Sequence, residues 1–295
     1  MPAAADGWSS VGEGRVTVLH RGQDRLAASL LAYLVAQAPL PGLPADVPTH
    51  VTLVLAPDEE SFDRATGGRI PEWGAAVALP TESQIVLPVY ASGRTWGGER
   101  LRVLRHEWAH VGLHEYLDGL VVPRWFSEGY AEWAAGWDRA EAWRLRLLMA
   151  TGQAPPLDSL TLGFPRDAAS AGAAYLLAAT AVEYLVLESG ERGLEMFLRR
   201  WRETRSFEGA LRATYGVTAG QFEEDWRAQV KDRYGWLLLL SQSMLIWTAL
   251  AGASLLLFRV RRRRDRERLA RLRAAEAPER PSFWMDEAGE GERWG

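Results

Sequence analysis

Two histidines and a glutamate within five consecutive residues have the spacing needed for metal-assisted hydrolysis. His106, Glu107 and His110 belong to the sequence His-Glu-Trp-Ala-His, which is an HExxH motif. Residues four apart share one face of a helix, so both imidazoles can reach one cation. A catalytic zinc ion takes three protein ligands and keeps a position for the water that it activates. The motif therefore predicts a zinc site at which Glu107 remains available as a general base.

A third ligand must come from another part of the chain, and Glu128 is the candidate. It lies in a short apolar segment that begins at Pro123, a residue that favours a first helical turn. Glu132 follows four residues later and shares the same helical face. We expect Glu128 to complete the zinc site and Glu132 to accept a hydrogen bond from a ring N–H of a ligating histidine. Two solvated carboxylates on an exposed face are the alternative interpretation.

The segment that carries the HExxH motif has the pattern of an amphipathic helix. Leu101, Leu104, Trp108 and Val111 recur at helical spacing and are expected to face a core. The motif residues then lie on the opposite face, where a metal ion can reach them. A surface helix with solvated histidines is the alternative interpretation of this pattern.

The three remaining histidines are not expected to bind the metal. His114 lies one turn beyond the motif, where a metzincin, HExxHxxGxxH, would continue with a glycine and a third histidine. Those two places hold Leu113 and Tyr116 here. We therefore interpret His114 as a helix-end or supporting residue, and His20 and His50 as structural or surface residues.

Together, the two motifs resemble those of the gluzincin zinc metallopeptidases, especially the peptidase MA-like domain family. In that family HExxH is followed by Trp-x-x-Glu-Gly-x-Ala-Glu, which Trp125 to Glu132 match here. The likeness covers about residues 50 to 232. It implies a zincin-like fold, a zinc ion held by His106, His110 and Glu128, and a peptide or protein substrate.

The resemblance also implies two further roles. The next helix of the family commonly supplies a tyrosine that donates a hydrogen bond to the tetrahedral intermediate, and the matching residue is Tyr175. An ordinary core tyrosine is the alternative. Peptidases of this kind often hold an extended substrate against an edge strand, for which Ser83 to Tyr90 is our candidate. Pro88 favours an edge position because it cannot donate to a ladder. A plain structural hairpin is the alternative here.

We predict an α+β fold, in which a zincin-like domain spans residues 15–235. A small mixed or antiparallel sheet comes first, and a mostly helical half follows. Strands are expected at residues 15–19, 51–56, 74–80 and 84–90, and helices at 24–37 and 58–64. Residues 1–14 are expected to form an N-terminal segment that resembles the small-residue end of an export signal.

A second feature is a run of 23 uncharged residues, 236–258. A membrane-spanning helix needs about 20 apolar residues, so this run predicts one transmembrane helix. Its first residue, Trp236, lies where an aromatic ring at the membrane interface would be expected. A buried C-terminal helix is the alternative interpretation.

Nine arginines between Arg259 and Arg273 follow this run directly. Basic residues beside a span remain on the cytoplasmic side. We therefore expect a single-pass membrane protein with its catalytic domain outside the cytoplasm and a tail, 259–295, that is first basic and then disordered. A nucleic-acid-binding arm and a cytoplasmic domain on a tail anchor are the alternatives for this region.

The amino-acid composition argues against several other classes of function. The net charge is −4 although the tail carries a basic run, so nucleic-acid binding by the rest of the chain is not expected. The absence of cysteine excludes disulfides and Cys–zinc sites. An intramembrane protease is disfavoured because His106 lies in a charged stretch far from the predicted span. A membrane-anchored zinc metallopeptidase is our interpretation, and a non-catalytic zincin-like binding or scaffold domain is the alternative.

Overall fold

Five strands among the described residues form one mixed sheet. The computed structural model of the protein describes residues 7–68, 76–90, 98–136, 154–161 and 168–275, with side chains for all of these except 99, 168, 169, 231–245 and 275. The strands are β1 (Ser9–Glu13), β2 (Val16–His20), β3 (Val51–Ala56), β4 (Val77–Leu79) and β5 (Gln84–Pro88). The parallel strands β2, β3 and β5 lie between antiparallel β1 and β4, in the order β1-β2-β3-β5-β4. The predicted mixed sheet is confirmed.

Both faces of the sheet are apolar in its central strands, because each face is covered by helices. Side chains of alternate residues, such as Leu53 and Ile85, enter the main core. The intervening residues, such as Val54 and Val86, pack on the other face with Phe62. Strands buried on both faces read as continuous apolar runs rather than alternating ones, which is the pattern of β3.

The prediction that Ser83 to Tyr90 forms an edge strand is wrong. This segment contains β5, which lies between β3 and β4, and the edge strand is β4. Pro88 is tolerated because it is the last residue of β5, where it lies opposite Ala56. The chain resumes the ladder one residue later, since the N–H of Val89 donates to the carbonyl of Ala56 at 2.9 Å.

The N-terminal segment contributes the other edge of the sheet. Residues 9–13, which the sequence analysis placed before the domain, form β1 and pair with β2. Trp8 packs beside them against the smaller apolar cluster, and the Arg21 guanidinium lies 5.0 Å from the centre of its ring. Residues 1–6 lie outside the described residues.

Helices dominate the rest of the chain, as predicted. They are α1 (Asp24–Val35), α2 (Glu59–Thr66), α3 (Gly98–Tyr116), α4 (Arg124–Ala134), α5 (Ala168–Thr204), α6 (Phe207–Tyr215) and α7 (Ala219–Ala275). Two of these helices, α2 and α6, begin at a side-chain N-cap. The Asp58 carboxylate accepts a hydrogen bond from the N–H of Ser61, and the Ser206 hydroxyl accepts one from the N–H of Gly209. Near its middle, α5 is interrupted at Gly190, where φ is 69°.

Helix α3 packs on the sheet through the apolar face that the sequence predicts. Leu104, Trp108 and Val111 are fully buried in the main core. Arg105, also buried, donates from its guanidinium to the carbonyls of Ala38, at 2.7 Å, and of Pro39 and Ala134. A buried cation needs such partners. This one links α3 to the C-terminus of α4 and to the connector after α1.

Helices α4 and α5 cross at a glycine, which brings their backbones close together. A Cβ atom built on Gly129 would lie 2.3 Å from the carbonyl oxygen of Ala178 and 3.1 Å from a methyl group of Val182. On either side of this crossing, the aromatic rings of Phe126 and Tyr130 are fully buried in the core. The crossing therefore requires glycine at position 129.

The chain divides into two units, with the boundary between Gly235 and Trp236. Helix α7 begins in the first unit and continues into the second. Among the described residues, one helix has the length and hydropathy to span a membrane, Ser170–Thr204, and 56% of its most apolar stretch is buried. It is the part of α5 that packs against α4, so a place in the protein core explains its apolar character. The predicted span, 236–258, is helical, and the side chains of 236–245 lie outside the description.

Replacement of Gly129 by alanine should destabilise the first unit. The added methyl group would meet a backbone carbonyl that cannot move independently, and overpacking of this kind costs about 1–3 kcal/mol. Thermal unfolding of the full chain, followed by circular dichroism, should show a fall of several degrees. Gly172→Ala is the control, because nothing lies within 4 Å of its Cβ position, and alanine there should be stabilising. Equal melting temperatures for the two variants would contradict the close crossing.

Candidate metal centre

Helix α3 brings the two motif histidines together on its polar face. The Nε2 atoms of His106 and His110 are 3.1 Å apart, and the ring centroids are separated by 4.8 Å at an interplanar angle of 76°. Only 13% and 14% of the two side chains is exposed, so competing water is largely kept from these nitrogens. This arrangement follows from their spacing of one helical turn.

Glu128 reaches the same point from α4. Its Oε2 atom is 3.5 Å from Nε2 of His106 and 3.4 Å from Nε2 of His110, and 13% of its side chain is exposed. Three atoms bound tetrahedrally at about 2.0–2.1 Å from a zinc ion are about 3.3 Å apart. The three observed separations match that value, and two imidazoles with a carboxylate form a donor set that zinc prefers. The residues thus fit a zinc ion.

Both candidate histidine ligands have a polar partner at Nδ1 that fixes the orientation of the ring. Nδ1 of His106 lies 3.4 Å from Oε1 of Glu132, whose other oxygen accepts from Arg102 at 3.2 Å. Nδ1 of His110 lies 3.0 Å from the hydroxyl of Ser127. With Nδ1 protonated on both rings, Nε2 presents its lone pair to a metal ion.

Glu107 lies beside this group without belonging to it. One oxygen of its carboxylate accepts a hydrogen bond of 2.8 Å from the backbone N–H of Ala78, in the edge strand β4. Burial raises the pKa of Glu107, although the neighbouring imidazoles and the N–H of Ala78 oppose the rise. A carboxylate with a raised pKa is a stronger base than an ordinary one, which suits proton abstraction.

Tyr175, from α5, lies near His106. The two ring centroids are 6.4 Å apart at an interplanar angle of 69°. Burial and the negative charges of Glu128 and Glu107 raise the pKa of Tyr175, so its hydroxyl stays protonated at neutral pH. A protonated hydroxyl can donate a hydrogen bond near the candidate metal centre.

A family model confirms the likeness that the two motifs indicate. The model of the Peptidase MA superfamily matches residues 69–232, more than half of the chain, and this range holds every residue placed at the site above. The chain belongs to the Peptidase MA superfamily. No curated protein matches it significantly. An M1 zinc metallopeptidase from Deinococcus radiodurans has a similar structure with 18% identity, over 75% of this chain and 50% of that one, with a TM-score of 0.38. This Peptidase MA chain thus spans about half the length of that structure.

The ionisation of this Peptidase MA site supports cation binding. Burial alone would lower the pKa of His106, but its hydrogen bonds to Glu128 and Glu132 raise the pKa to about 10. Burial would raise the pKa of Glu128, yet the two imidazoles hold it well below its usual range. Without a metal, His106 is therefore a cation at neutral pH. The proton on this ring balances a carboxylate charge that a metal ion would otherwise balance.

The other three histidines lie apart from the metal group. His114 is in the last turn of α3, and His50 contacts Thr52 at 3.3 Å. His20 is buried at the end of β2, with Nδ1 3.4 Å from the carboxylate of Asp24. Their interpretation as helix-end, structural or surface residues agrees with these positions.

Sequence reasoning missed three supporting residues. Arg102 is one turn before His106, and Ser127 directly precedes Glu128, so both positions were readable once the helices were placed. Ala78 carries no side-chain signal at all, because it acts through its backbone N–H. Only the pairing of β4 with β5 brings it to Glu107.

Uptake of zinc by the Peptidase MA site should release about one proton per ion near pH 8. His106 is protonated below its pKa of about 10 and must lose that proton to bind, so zinc affinity should rise with pH through this range. Calorimetric titration in buffers of different ionisation enthalpy measures the released protons. His114→Gln is the control and should release the same number. Affinity independent of pH would contradict a protonated His106.

Proposed function

We propose that this protein is a membrane-anchored zinc metallopeptidase that hydrolyses peptide bonds. The observation that carries the proposal is the convergence of His106, His110 and Glu128 within 3.5 Å of one another, beside a carboxylate that is not part of the group. Membership of the Peptidase MA superfamily supports it independently.

The residues divide the work of hydrolysis among them. When bound to His106, His110 and Glu128, the ion would lower the pKa of a water molecule and polarise a peptide carbonyl. Glu107 accepts the proton of that water and then gives it to the leaving amine. Tyr175 donates a hydrogen bond to the carbonyl oxygen, on which negative charge develops.

Strand β4 is the candidate for holding the peptide. It is the edge of the sheet next to α3, and the N–H of Ala78 points away from β5 toward Glu107. An extended peptide that pairs with this edge would lie beside Glu107, where its scissile bond must be. β4 thus takes the place that the sequence analysis gave to residues 83–90.

Attachment to a membrane through residues 236–258 is supported by the described part of this run. Large apolar side chains such as Trp247, Leu256 and Leu257 are 67–71% exposed. A contiguous apolar surface of this kind is rarely left in water. The arginines from Arg259 onward are exposed as well, and a basic run beside a span favours a cytoplasmic tail and a catalytic domain outside the cytoplasm.

Replacement of Glu107 by glutamine should separate catalysis from metal binding. The amide cannot accept the proton of water, so peptide hydrolysis by the full chain should fall by about 10²–10⁴-fold. Zinc content should remain that of the wild type, because Glu107 is not among the ligands. Glu115→Gln on the same helix is the control, since that carboxylate accepts from the backbone of Thr49 instead.

The outcome also decides between an enzyme and a non-catalytic scaffold domain. If the protein is a scaffold, the wild-type chain would bind zinc but would cleave no peptide. Full activity in Glu107→Gln would overturn the role given to this residue.

Because the sequence contains no cysteine, single introduced cysteines can test the membrane topology directly. Single cysteines at Glu188, exposed on α5, and at Ala274, after the arginines, add one reactive thiol each. A membrane-impermeant maleimide should label Glu188→Cys in intact cells and Ala274→Cys only after permeabilisation. The reverse pattern would indicate a cytoplasmic domain on a tail anchor. Labelling of both in intact cells, with release by an alkaline wash, would exclude a span.

A further inference from the structure

The two carboxylate oxygens of Glu128 face different partners. Oε2 faces the Nε2 atoms of both histidines, at 3.4 and 3.5 Å. Oε1 forms an ion pair with Arg124, whose Nε lies 3.5 Å away. A carboxylate can bind a metal ion through one oxygen or through both. The position of Arg124 thus bears on which of these modes Glu128 adopts.

Arg124 is fixed at its backbone and reaches Glu128 along the helix. It is the first residue of α4, and its N–H donates to the carbonyl of Thr161 at 3.1 Å. The spacing of four residues places both side chains on one face. The Arg124 side chain is 49% exposed and the Glu128 side chain 13%, so the guanidinium approaches the carboxylate from the solvent side.

We propose that Arg124 is a positioning residue that keeps Glu128 bound to the zinc ion through one oxygen. The proposal rests on the proposed function, because it assumes that Glu128 is a ligand. By pairing with Oε1, the guanidinium opposes rotation of that oxygen toward the ion. One coordination position then stays open for the water that Glu107 deprotonates.

A bound zinc ion and Arg124 would compete for one oxygen of Glu128, Oε1. A zinc site with two imidazoles and a carboxylate bound through one oxygen has three protein ligands and an open position. If the second oxygen also bound, coordination would rise from four to five, and the added oxygen would crowd the water. A cation on the outer side of Oε1 makes that motion unfavourable, because the oxygen would have to leave an opposite charge.

Two other roles for Arg124 would give different results. A guanidinium at the rim of a peptidase site can bind a carboxylate of the substrate. An arginine four residues before a glutamate can also simply stabilise its helix. The geometry favours the positioning role, because Arg124 pairs with the oxygen of Glu128 that faces away from the two histidines. The experiment is arranged so that each of the three roles gives its own pattern.

The test compares wild type with Arg124→Ala in the full chain, loaded with zinc for activity and with cobalt(II) for spectroscopy. In the variant, kcat should fall by about 10–100-fold, the range found when a group supporting a metal ligand is lost. KM should stay within about twofold of wild type, and zinc affinity should be equal or tighter. The visible cobalt(II) absorption should weaken, as it does when coordination rises from four to five.

Two further variants make the comparison specific. Arg124→Lys keeps a positive charge four residues before Glu128, so it should recover most of the cobalt(II) intensity and part of kcat. Arg199→Ala removes an exposed arginine from a pair of the same order and spacing, with Nε 3.9 Å from the carboxylate of Glu203, far from the site in sequence. It should leave the cobalt(II) spectrum and kcat unchanged.

Three results would overturn the proposal. A raised KM with an unchanged cobalt(II) spectrum in Arg124→Ala would assign Arg124 to substrate binding. A lower melting temperature with unchanged kcat and spectrum would assign it to helix stability. Unchanged kcat, KM and spectrum would give it no role. Failure of the proposed function is separate, because it would appear as wild type without zinc or without activity.

Discussion

The candidate metal centre depends on one largely buried carboxylate, that of Glu128. Its negative charge must be balanced by positive groups nearby. An isolated buried carboxylate is strongly unfavourable, and its pKa would rise until it became neutral. Here the direction is reversed, because the imidazoles of His106 and His110 lie beside the carboxylate and hold its pKa low. The charge of Glu128 thus makes a cation necessary, and α3 supplies the nitrogens that can share it.

The packing of helices α3 and α4 holds these groups in place. Two elements meet at the site, and each is fixed on the side away from it. Trp108 and Leu104 seat α3 on the sheet, and Arg105 joins it to the end of α4. Gly129 seats α4 against α5, which also carries Tyr175. Because these contacts are between backbones or fully buried side chains, the fold itself sets the positions of the three candidate ligands.

The metal group was predictable from sequence because helical spacing alone brings His106 and His110 together. Glu128 required more, namely that two helices distant in sequence should meet, and the resemblance of the second motif supplied that. The order of the sheet was not predictable in the same way. Residues 84–90 and 74–80 read equally well as strands, and the parallel pairing of β3 with β5 decides which one is inside. Contacts made by backbone atoms, such as the N–H of Ala78, leave no trace in residue type.

The hydrogen bond between Ala78 and Glu107 would couple the binding of a peptide at β4 to the pKa of Glu107. A peptide that extends the sheet at β4 would need the same N–H that now donates to the carboxylate. A peptide paired with β4 would then remove this hydrogen-bond donor from Glu107 and raise the pKa of its carboxyl group. By thermodynamic reciprocity, protonation of Glu107 would loosen its hold on Ala78 and favour occupation of the strand. Pairing of a peptide with β4 and the pKa of Glu107 would thus be coupled through a single amide.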